Sequence, residues 1–321
     1  MEGNIEPQQG LAIGIDVGGT KIKAGMVNQE GRVLATQVIA TEKEKGAEYV
    51  LKQVAQLITE LSSGFAAEKI LGVGLALPGD IDYYRGYSLC CPNLHWGELE
   101  VSAPLAQKTG LPVRLVNDAN AACLGEYFYG RGKDVPTFLS ITLGTGVGSG
   151  LILDHRLYTG RFGSGVEAGH MIIEPDGYPC SCGGSGCWET LVAAPAMVKR
   201  TREKSKEIPS ERLSVPNVSP ELIFQAYRAG DSLAKAVVEE TIYYLALGLV
   251  NLINLFNPHK ISLGGGIAEA EEIISLQLLE QINKTVFPTL RGKVEIFKAT
   301  QGYYGGVVGA ASLWLCNIKT I

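Results

Sequence analysis

The chain has 321 residues, 46% of them hydrophobic and 19% charged, with a formal net charge of −5. That length and balance describe a globular protein with material for two domains and a sizeable core. The acidic excess argues against a nucleic-acid surface, which needs a basic footprint. No apolar run reaches the roughly 20 residues that span a bilayer, and the opening MEGNIEPQQG lacks a signal peptide's charged-then-apolar order, so no membrane partner is expected. Seven cysteines, an odd number, fit a reducing, cytoplasmic setting.

The first ten residues read as a loose tail. Leu11 to Val17 alternates as a strand and ends at Gly18-Gly19-Thr20. Lys21 to Val27 resumes the strand pattern, and Arg32 to Ile39 gives a third strand after the turn at Glu30-Gly31. Ala47 to Leu61 places Val50, Val54, Leu57, Ile58 and Leu61 on one helical face. Ile70 to Leu77 is a strand that stops at Pro78-Gly79, and Pro112 to Asn117 is another, with a helix over Ala119 to Tyr129. The opening order then recurs about 125 residues on: a strand over Phe138 to Leu143, Gly144-Thr145-Gly146, a strand over Ser149 to Leu153, a turn, and His155 to Tyr158. The recurrence predicts a duplicated domain. Thr201 to Pro220 is charged and proline-punctuated and reads as an exposed loop. Helices are expected over Glu221 to Ala229, Ser232 to Phe256 and Gly305 to Leu315. Lys260 to Leu263 is a strand that runs into Gly264-Gly265-Gly266, and two further alternations follow it. Strands mixed with crossover helices define an α/β protein.

Between His170 and Glu189 the sequence gathers His170, Cys180, Cys182 and Cys187 in a glycine-rich segment flanked by Glu167 and Glu189. Three thiolates and an imidazole make a closed tetrahedral zinc site, so the ion is expected to be structural Zn2+ that shapes a loop. Buried thiols or disulfides are the plainer reading, and the one-residue gap between Cys180 and Cys182 departs from zinc-finger spacing; the clustering favours zinc.

Asp16-Val17-Gly18-Gly19-Thr20-Lys21 and Gly144-Thr145-Gly146 both close strands with glycines, whose exposed N–H groups suit phosphate oxygens. Asp16 suits Mg2+, directly or through water, although a tight hairpin explains the first loop equally well. The second loop is no Walker A, because the Gly-Lys-Ser/Thr ending is absent, and no dinucleotide fingerprint, because a strand follows it. Gly264-Gly265-Gly266 would let a nucleotide's sugar and base pass over it where a helix begins, or is a plain turn. Asp118 is the candidate base for an alcohol's proton in phosphoryl transfer, or a helix N-cap. Asn93 offers a donor and an acceptor, as a sugar hydroxyl does. His95 and Trp96 beside it read equally as packing.

DVGGTK at 16–21, LPGDID at 77–82, NDANAA at 117–122, LGTGVGSG at 143–150, EAGH at 167–170, CSCGGSGCWE at 180–189 and LGGGI at 263–267 together resemble the ROK-family sugar kinases, and among them the bacterial ATP-dependent glucokinases. The resemblance implies an actin-like ATPase fold, ribonuclease H-like, with two lobes and a central cleft. The small lobe would be residues 1–117, joined by a C-terminal helix over 302–321, and the large lobe 118–301, with the zinc loop at 170–187. It implies ATP and Mg2+, and transfer to a sugar 6-hydroxyl with Asp118 as base. Gly79, Asn93, Asn117, Asp118, Glu167, His170 and Glu189 would meet the sugar. Asp16, Gly18, Gly19, Thr20, Lys21, Gly144, Thr145, Gly146, Gly265 and Gly266 would hold the nucleotide. Val166 and Ala168 depart in size from the family's pattern without touching the role of Glu167. Glucose is the expected substrate. Fructose, mannose, N-acetylglucosamine or N-acetylmannosamine kinases and a non-catalytic sugar sensor are the rivals. Repressor relatives carry an N-terminal helix-turn-helix, for which a first strand near Leu11 leaves no room. Family habit implies a homodimer or homotetramer.

Overall fold

The computed structural model describes residues 10–318 and residue 320, so the expected N-terminal tail lies, but for Gly10, outside the described residues. β1 (Leu11–Val17) buries alternate side chains into two different cores. Ile13, Ile15 and Val17 join one core and Ala12 the other, as the period of two in a pleated strand requires. β2 (Lys21–Val27) and β3 (Val33–Ala40) follow antiparallel. α1 (Ala47–Ser62) buries the stripe read from the sequence, Val50, Val54, Leu57, Ile58 and Leu61. Each such side chain contributes roughly 1.5–3 kcal/mol when fully buried. β4 (Ile70–Leu77) returns parallel to β1. A small antiparallel sheet of β5 (Asp80–Asp82), β6 (Tyr87–Cys90) and β7 (Leu99–Glu100) comes next. Then come α2 (Ser102–Thr109), β8 (Val113–Asn117), which is parallel to β4, and α3 (Asp118–Tyr129).

β9 (Phe138–Leu143), β10 (Val147–Leu153) and β11 (Arg156–Leu157) repeat the opening order of strands. α4 (Glu189–Val192), α5 (Ala194–Lys204), α6 (Pro220–Arg228) and α7 (Ser232–Phe256) precede β12 (Lys260–Gly264), α8 (Leu276–Thr285), β13 (Glu295–Lys298) and α9 (Gly305–Leu315). One sheet runs β3-β2-β1-β4-β8 and the other β11-β10-β9-β12-β13. Both therefore carry a three-strand meander in reverse order and then two strands reached by crossovers. The duplication inferred from motif order is a duplication of topology.

By contacts the chain forms two compact units. Unit 1 is Met1–Ser140, Gly150–Val166 and Ala299–Ile321; unit 2 is Ile141–Ser149 and Glu167–Lys298. In unit 1, α9 lies directly on the backbone of β1 and β4. A Cβ at Gly14 would stand 1.9 Å from the Val307 carbonyl oxygen, and one at Gly74 1.8 Å from that of Ala310. Glycine at both places is thus a requirement of packing. Glu126 of α3 is buried, and its carboxyl accepts from the backbone N–H of Arg131 (2.9 Å), Thr300 (2.8 Å) and Gln301 (3.1 Å) and from the Thr300 hydroxyl (2.8 Å). It latches α3 to the turn ahead of α9. Glu126→Ala would leave several buried donors without a partner. It is expected to cost about 3–5 kcal/mol in a denaturant titration.

In unit 2, α7 is the core element, packed by α4, α5, α6 and α8. Its 25 residues make it long and apolar enough, by length and composition, to cross a membrane, although 61% of its most apolar window is buried inside the protein. The sequence expectation that nothing reaches this length missed it because Lys235, Glu239 and Glu240 interrupt the run. Three further expectations change. The stretch from Thr201 to Pro220 is helical as far as Lys204, because it continues α5. Between Gly266 and Gly305 stands one strand, β13, with helix α8 before it. A short 3₁₀ turn, Gly266–Glu269, follows the third glycine loop instead of an α-helix, so that loop gains no helix dipole.

Candidate functional site

In unit 1 the parallel strands β1, β4 and β8 are neighbours. Asp16 pairs with Ala76, and Leu77 with Asn117, so all three strands end at one edge of the sheet. The carboxyl edge of parallel strands is where α/β folds place ligands. Asp16, Gly79, Asn117 and Asp118 stand there. Asn117, not Asp118, caps α3, and its Oδ1 accepts from the N–H of Ala119 (2.9 Å) and Asn120 (3.1 Å). Its Nδ2 donates to the Gly79 carbonyl at 3.1 Å. The reading of Asp118 as the cap is thereby corrected. Asp118 is exposed in the first turn of α3, where its Oδ1 accepts from Ala119 N–H at 2.8 Å. Asn117 locks the strand end behind it.

The Gly18-Gly19-Thr20 turn is pinned from β3's end. Thr41 Oγ1 donates to the Gly18 carbonyl at 2.7 Å, and Thr41 N–H to that of Thr20 at 2.9 Å. A Cβ at Gly19 would come within 3.4 Å of the Asn93 carbonyl oxygen, so the loop and the Asn93 turn adjoin. Lys43 Nζ donates to that same carbonyl at 3.2 Å. Thr20, Lys21, Asn93 and His95 are exposed, and Trp96 is buried in the core, so its plain packing reading holds. The Asp16 carboxylate sits beside Gly306, in the first turn of α9. It also pairs with Lys23, Nζ to Oδ2 at 2.9 Å, and that ammonium lies 4.7 Å from the Tyr303 ring centroid. With Oδ2 engaged by Lys23, Asp16 fits a Mg2+ held through water better than one in direct contact.

In unit 2 the ligand atoms of His170, Cys180, Cys182 and Cys187 all lie within 4.8 Å of one another. Cys180 Sγ is 3.6 Å from His170 Nδ1, and Cys182 Sγ is 3.6 Å from Cys187 Sγ. Tetrahedral zinc with Zn–S near 2.3 Å spaces its thiolates roughly 3.8 Å apart, so the donor set fits the ion. The backbone prepares this shape, with bridges between Ile172 and Cys187 and between Pro179 and Ser185. Trp188, fully buried, donates to the Tyr244 carbonyl at 2.9 Å and fixes the loop on α7. Burial pushes the Cys180 thiol up to about 12 and raises that of Cys187, while the Gly184 N–H holds Cys182 below its ordinary value. An ion held by three thiolates therefore has to displace protons.

Glu189 begins α4 and ties this cluster to the Gly144-Thr145-Gly146 turn. Its Oε1 accepts from Cys180 Sγ at 3.1 Å and stands 3.7 Å from His170 Nδ1. Its Oε2 would be 2.9 Å from a Cβ at Gly146. Ala194 N–H donates to the Gly144 carbonyl at 2.9 Å, and a Cβ at Gly265 would be 2.4 Å from the Leu143 carbonyl oxygen. The fold thus gathers both glycine loops of unit 2, Glu189 and the Cys3His set in one region. Glu167, exposed, opens the 3₁₀ turn Ala168–His170 that carries the imidazole. Val166 before it holds a left-handed backbone, φ 60, which is strained for a β-branched side chain. A smaller residue there would relax it. Two cavities open at Thr145, of about 660 Å3 and 310 Å3, and both are lined by Pro195 and Lys199.

A family model described as the ROK family matches residues 12–317. The chain belongs to the ROK family. A glucokinase of Thermotoga maritima is 36% identical over 94% of this chain and 96% of its own length. The crystal structure of a ROK family glucokinase from Streptomyces griseus in complex with glucose and AMPPNP is 34% identical. It covers 95% of this chain and 99% of that one, with a TM-score of 0.81. A xylose repressor of Bacillus subtilis is 27% identical over 95% of this chain and 77% of the repressor. The two identically wired sheets are those of the actin-like ATPase fold. Within this ROK chain, sequence reasoning missed Thr41, Lys23, Tyr178, Lys199 and Trp188. Thr41, Tyr178, Lys199 and Trp188 each act through a partner more than twenty residues away, and Lys23 pairs with Asp16 across the β1–β2 hairpin, so no local pattern marks them.

Proposed function

We propose that the protein is a hexokinase-type phosphotransferase that moves the terminal phosphoryl group of ATP to the 6-hydroxyl of glucose. The observation that carries this reading is Asp118, exposed at the carboxyl edge shared by β1, β4 and β8, with Asp16 on the same edge. Asp118 accepts the hydroxyl proton as the oxygen attacks. Asn93, Glu167, His170 and Glu189 hold the sugar's hydroxyls, and Gly79 and Asn117 shape the backbone around Asp118. Gly18, Gly19, Thr20, Lys21, Gly144, Thr145 and Gly146 grip the donor's phosphates, and Gly265 and Gly266 flank its nucleoside. Asp16 would hold a nucleotide-bound Mg2+ through water, and the ion would supply charge neutralisation of the donor's phosphates. Zn2+, when bound by His170, Cys180, Cys182 and Cys187, fixes the loop. The His170 Nδ1 faces the thiols, which leaves Nε2 for a hydroxyl. Residues 1–117 with the C-terminal helix act as the small lobe and 118–301 as the large one. The thiolate site suits a reducing cytoplasm, and the protein assembles as a homodimer or homotetramer.

Support comes from the glucokinases that match over nearly the whole chain. The test is a panel of glucose, fructose, mannose, N-acetylglucosamine and N-acetylmannosamine with Mg-ATP, following ADP and the sugar phosphate. Glucose is expected to give the highest kcat/KM. ADP release no faster with any of the five sugars than without sugar would overturn the kinase reading and leave a sugar-binding sensor.

A further inference from the structure

Four basic residues lie on α5, and they divide into two pairs. Arg200 is buried: it donates to Thr241 Oγ1 (2.9 Å) and the Leu191 carbonyl (2.6 Å) and stands 2.8 Å from the Glu240 carboxylate. Lys204 reaches that same carboxylate at 2.8 Å. Lys199 and Arg202 instead line the cavity of about 660 Å3 that opens at Thr145. Its remaining walls include Ala194, Pro195, Val198 and Pro220, which are apolar. That volume is in the range of small-molecule sites, roughly 300–1,000 Å3. Its third charged residue, Glu203, accepts a hydrogen bond from the Tyr178 hydroxyl.

Tyr178 belongs to the Cys3His loop, two residues before Cys180, and its carbonyl accepts from Gly186 N–H at 2.8 Å. Its ring lies under Lys199, with Nζ 3.6 Å from the centroid. The loop therefore presents one face of Tyr178 to a cation and its hydroxyl to a carboxylate one turn further along the same helix. Lys199 also lines the smaller cavity, which contains Glu189, Ser181 and Thr145. It is the basic residue the two cavities share.

We propose that Lys199 is a binding residue for the anionic phosphate donor, seated by Tyr178, so that the Cys3His loop serves the nucleotide as well as the sugar. A nucleoside triphosphate gripped at Thr145 extends into the larger cavity. Lys199 meets its phosphates there, and the apolar wall faces the nucleoside. The stacking of Lys199 on Tyr178 restricts a long flexible side chain, which lowers the entropy lost on binding an anion. The inference rests on the reading of the chain as an ATP-dependent kinase.

The test uses zinc-replete protein, the variants Lys199→Met, Tyr178→Phe and Tyr178→Leu, ADP binding by calorimetry, and steady-state kinetics. Lys199→Met is expected to weaken ADP binding about tenfold or more, the scale of a lost charge-assisted contact. The loss should appear in the KM for ATP rather than in kcat, with the KM for glucose as the control. Tyr178→Leu is expected to move the same constant in the same direction, and to add little in the Lys199→Met background. Tyr178→Phe, which keeps the ring, should fall between it and the wild type. Unchanged ADP affinity in Lys199→Met, a rise confined to the KM for glucose, or a wild type that binds no ADP each overturns the proposal. A wild type that binds ADP but phosphorylates no hexose overturns the kinase reading instead, while the binding data still decide the role of Lys199.

Discussion

Asp118→Ala is expected to lower kcat for glucose phosphorylation by about 10² to 10⁴, the usual loss when a positioned general base is removed. Phosphoryl transfer asks little covalent chemistry of a protein. It needs an oriented hydroxyl, a proton acceptor and neutralised phosphates. In the proposed reaction Asp118, at the sheet edge it shares with Asp16, is the acceptor. Fold damage is a small part of the expected effect, because Asn117 carries the cap of α3 and keeps its bond to Gly79 in the variant. Loss of a carboxylate from the first turn costs at most about 1 kcal/mol through the helix dipole. Asp118→Asn preserves shape and polarity and removes only basicity, so it should be nearly as slow. ADP affinity should stay close to wild type in both variants, since the change falls on the acceptor side. Either variant turning over at a rate near that of the wild type would remove Asp118 from the reaction.

The duplicated strands could be read from the sequence because each copy is local. Alternation in Leu11–Val17 and Phe138–Leu143, and glycines after each, need no tertiary knowledge. The stripe of α1 is equally local. α5 is not legible in the sequence, because its last turn, Arg202 to Lys204, is charged and resembles loop composition, while its start at Ala194-Pro195 has no side-chain cap. The third glycine loop looked like a helix start because glycines precede helices in many nucleotide folds, but here Gly265 closes against Leu143 and the chain makes a single 3₁₀ turn. The Cys3His cluster could be read from ligand type and clustering along the chain. What spacing could not show is that Glu189 touches both a thiol and the Gly146 turn, or that Tyr178 joins the loop to α5. Those contacts depend on how the loop docks on α7, and Trp188 sets that docking from the core.

Cys182→Ser is expected to abolish stoichiometric zinc and to weaken glucose binding about 10- to 100-fold, the scale seen when the support around a metal site is lost. The serine hydroxyl is nearly the size of the thiol and does not ionise near neutrality, so the change removes a ligand without removing bulk. Cys182 is the sensitive choice because it is the exposed thiol of the set, and its replacement opens no cavity. The reason to expect a sugar effect is geometric. His170 and Cys180 flank the Glu189 carboxylate, and Glu167 opens the turn that carries His170. Without the ion, Cys180 keeps its hydrogen bond to Glu189, but Cys182 and Cys187 lose the common centre that holds them against His170 and Cys180. Zinc retention should also weaken as pH falls, because protons compete for the three thiolates. Metal analysis of the purified wild type is the first measurement, with glucose affinity by calorimetry beside it. A wild type without zinc, or a zinc-free Cys182→Ser that binds glucose as well as its parent, would show that the loop holds its shape and its carboxylates by hydrogen bonds alone.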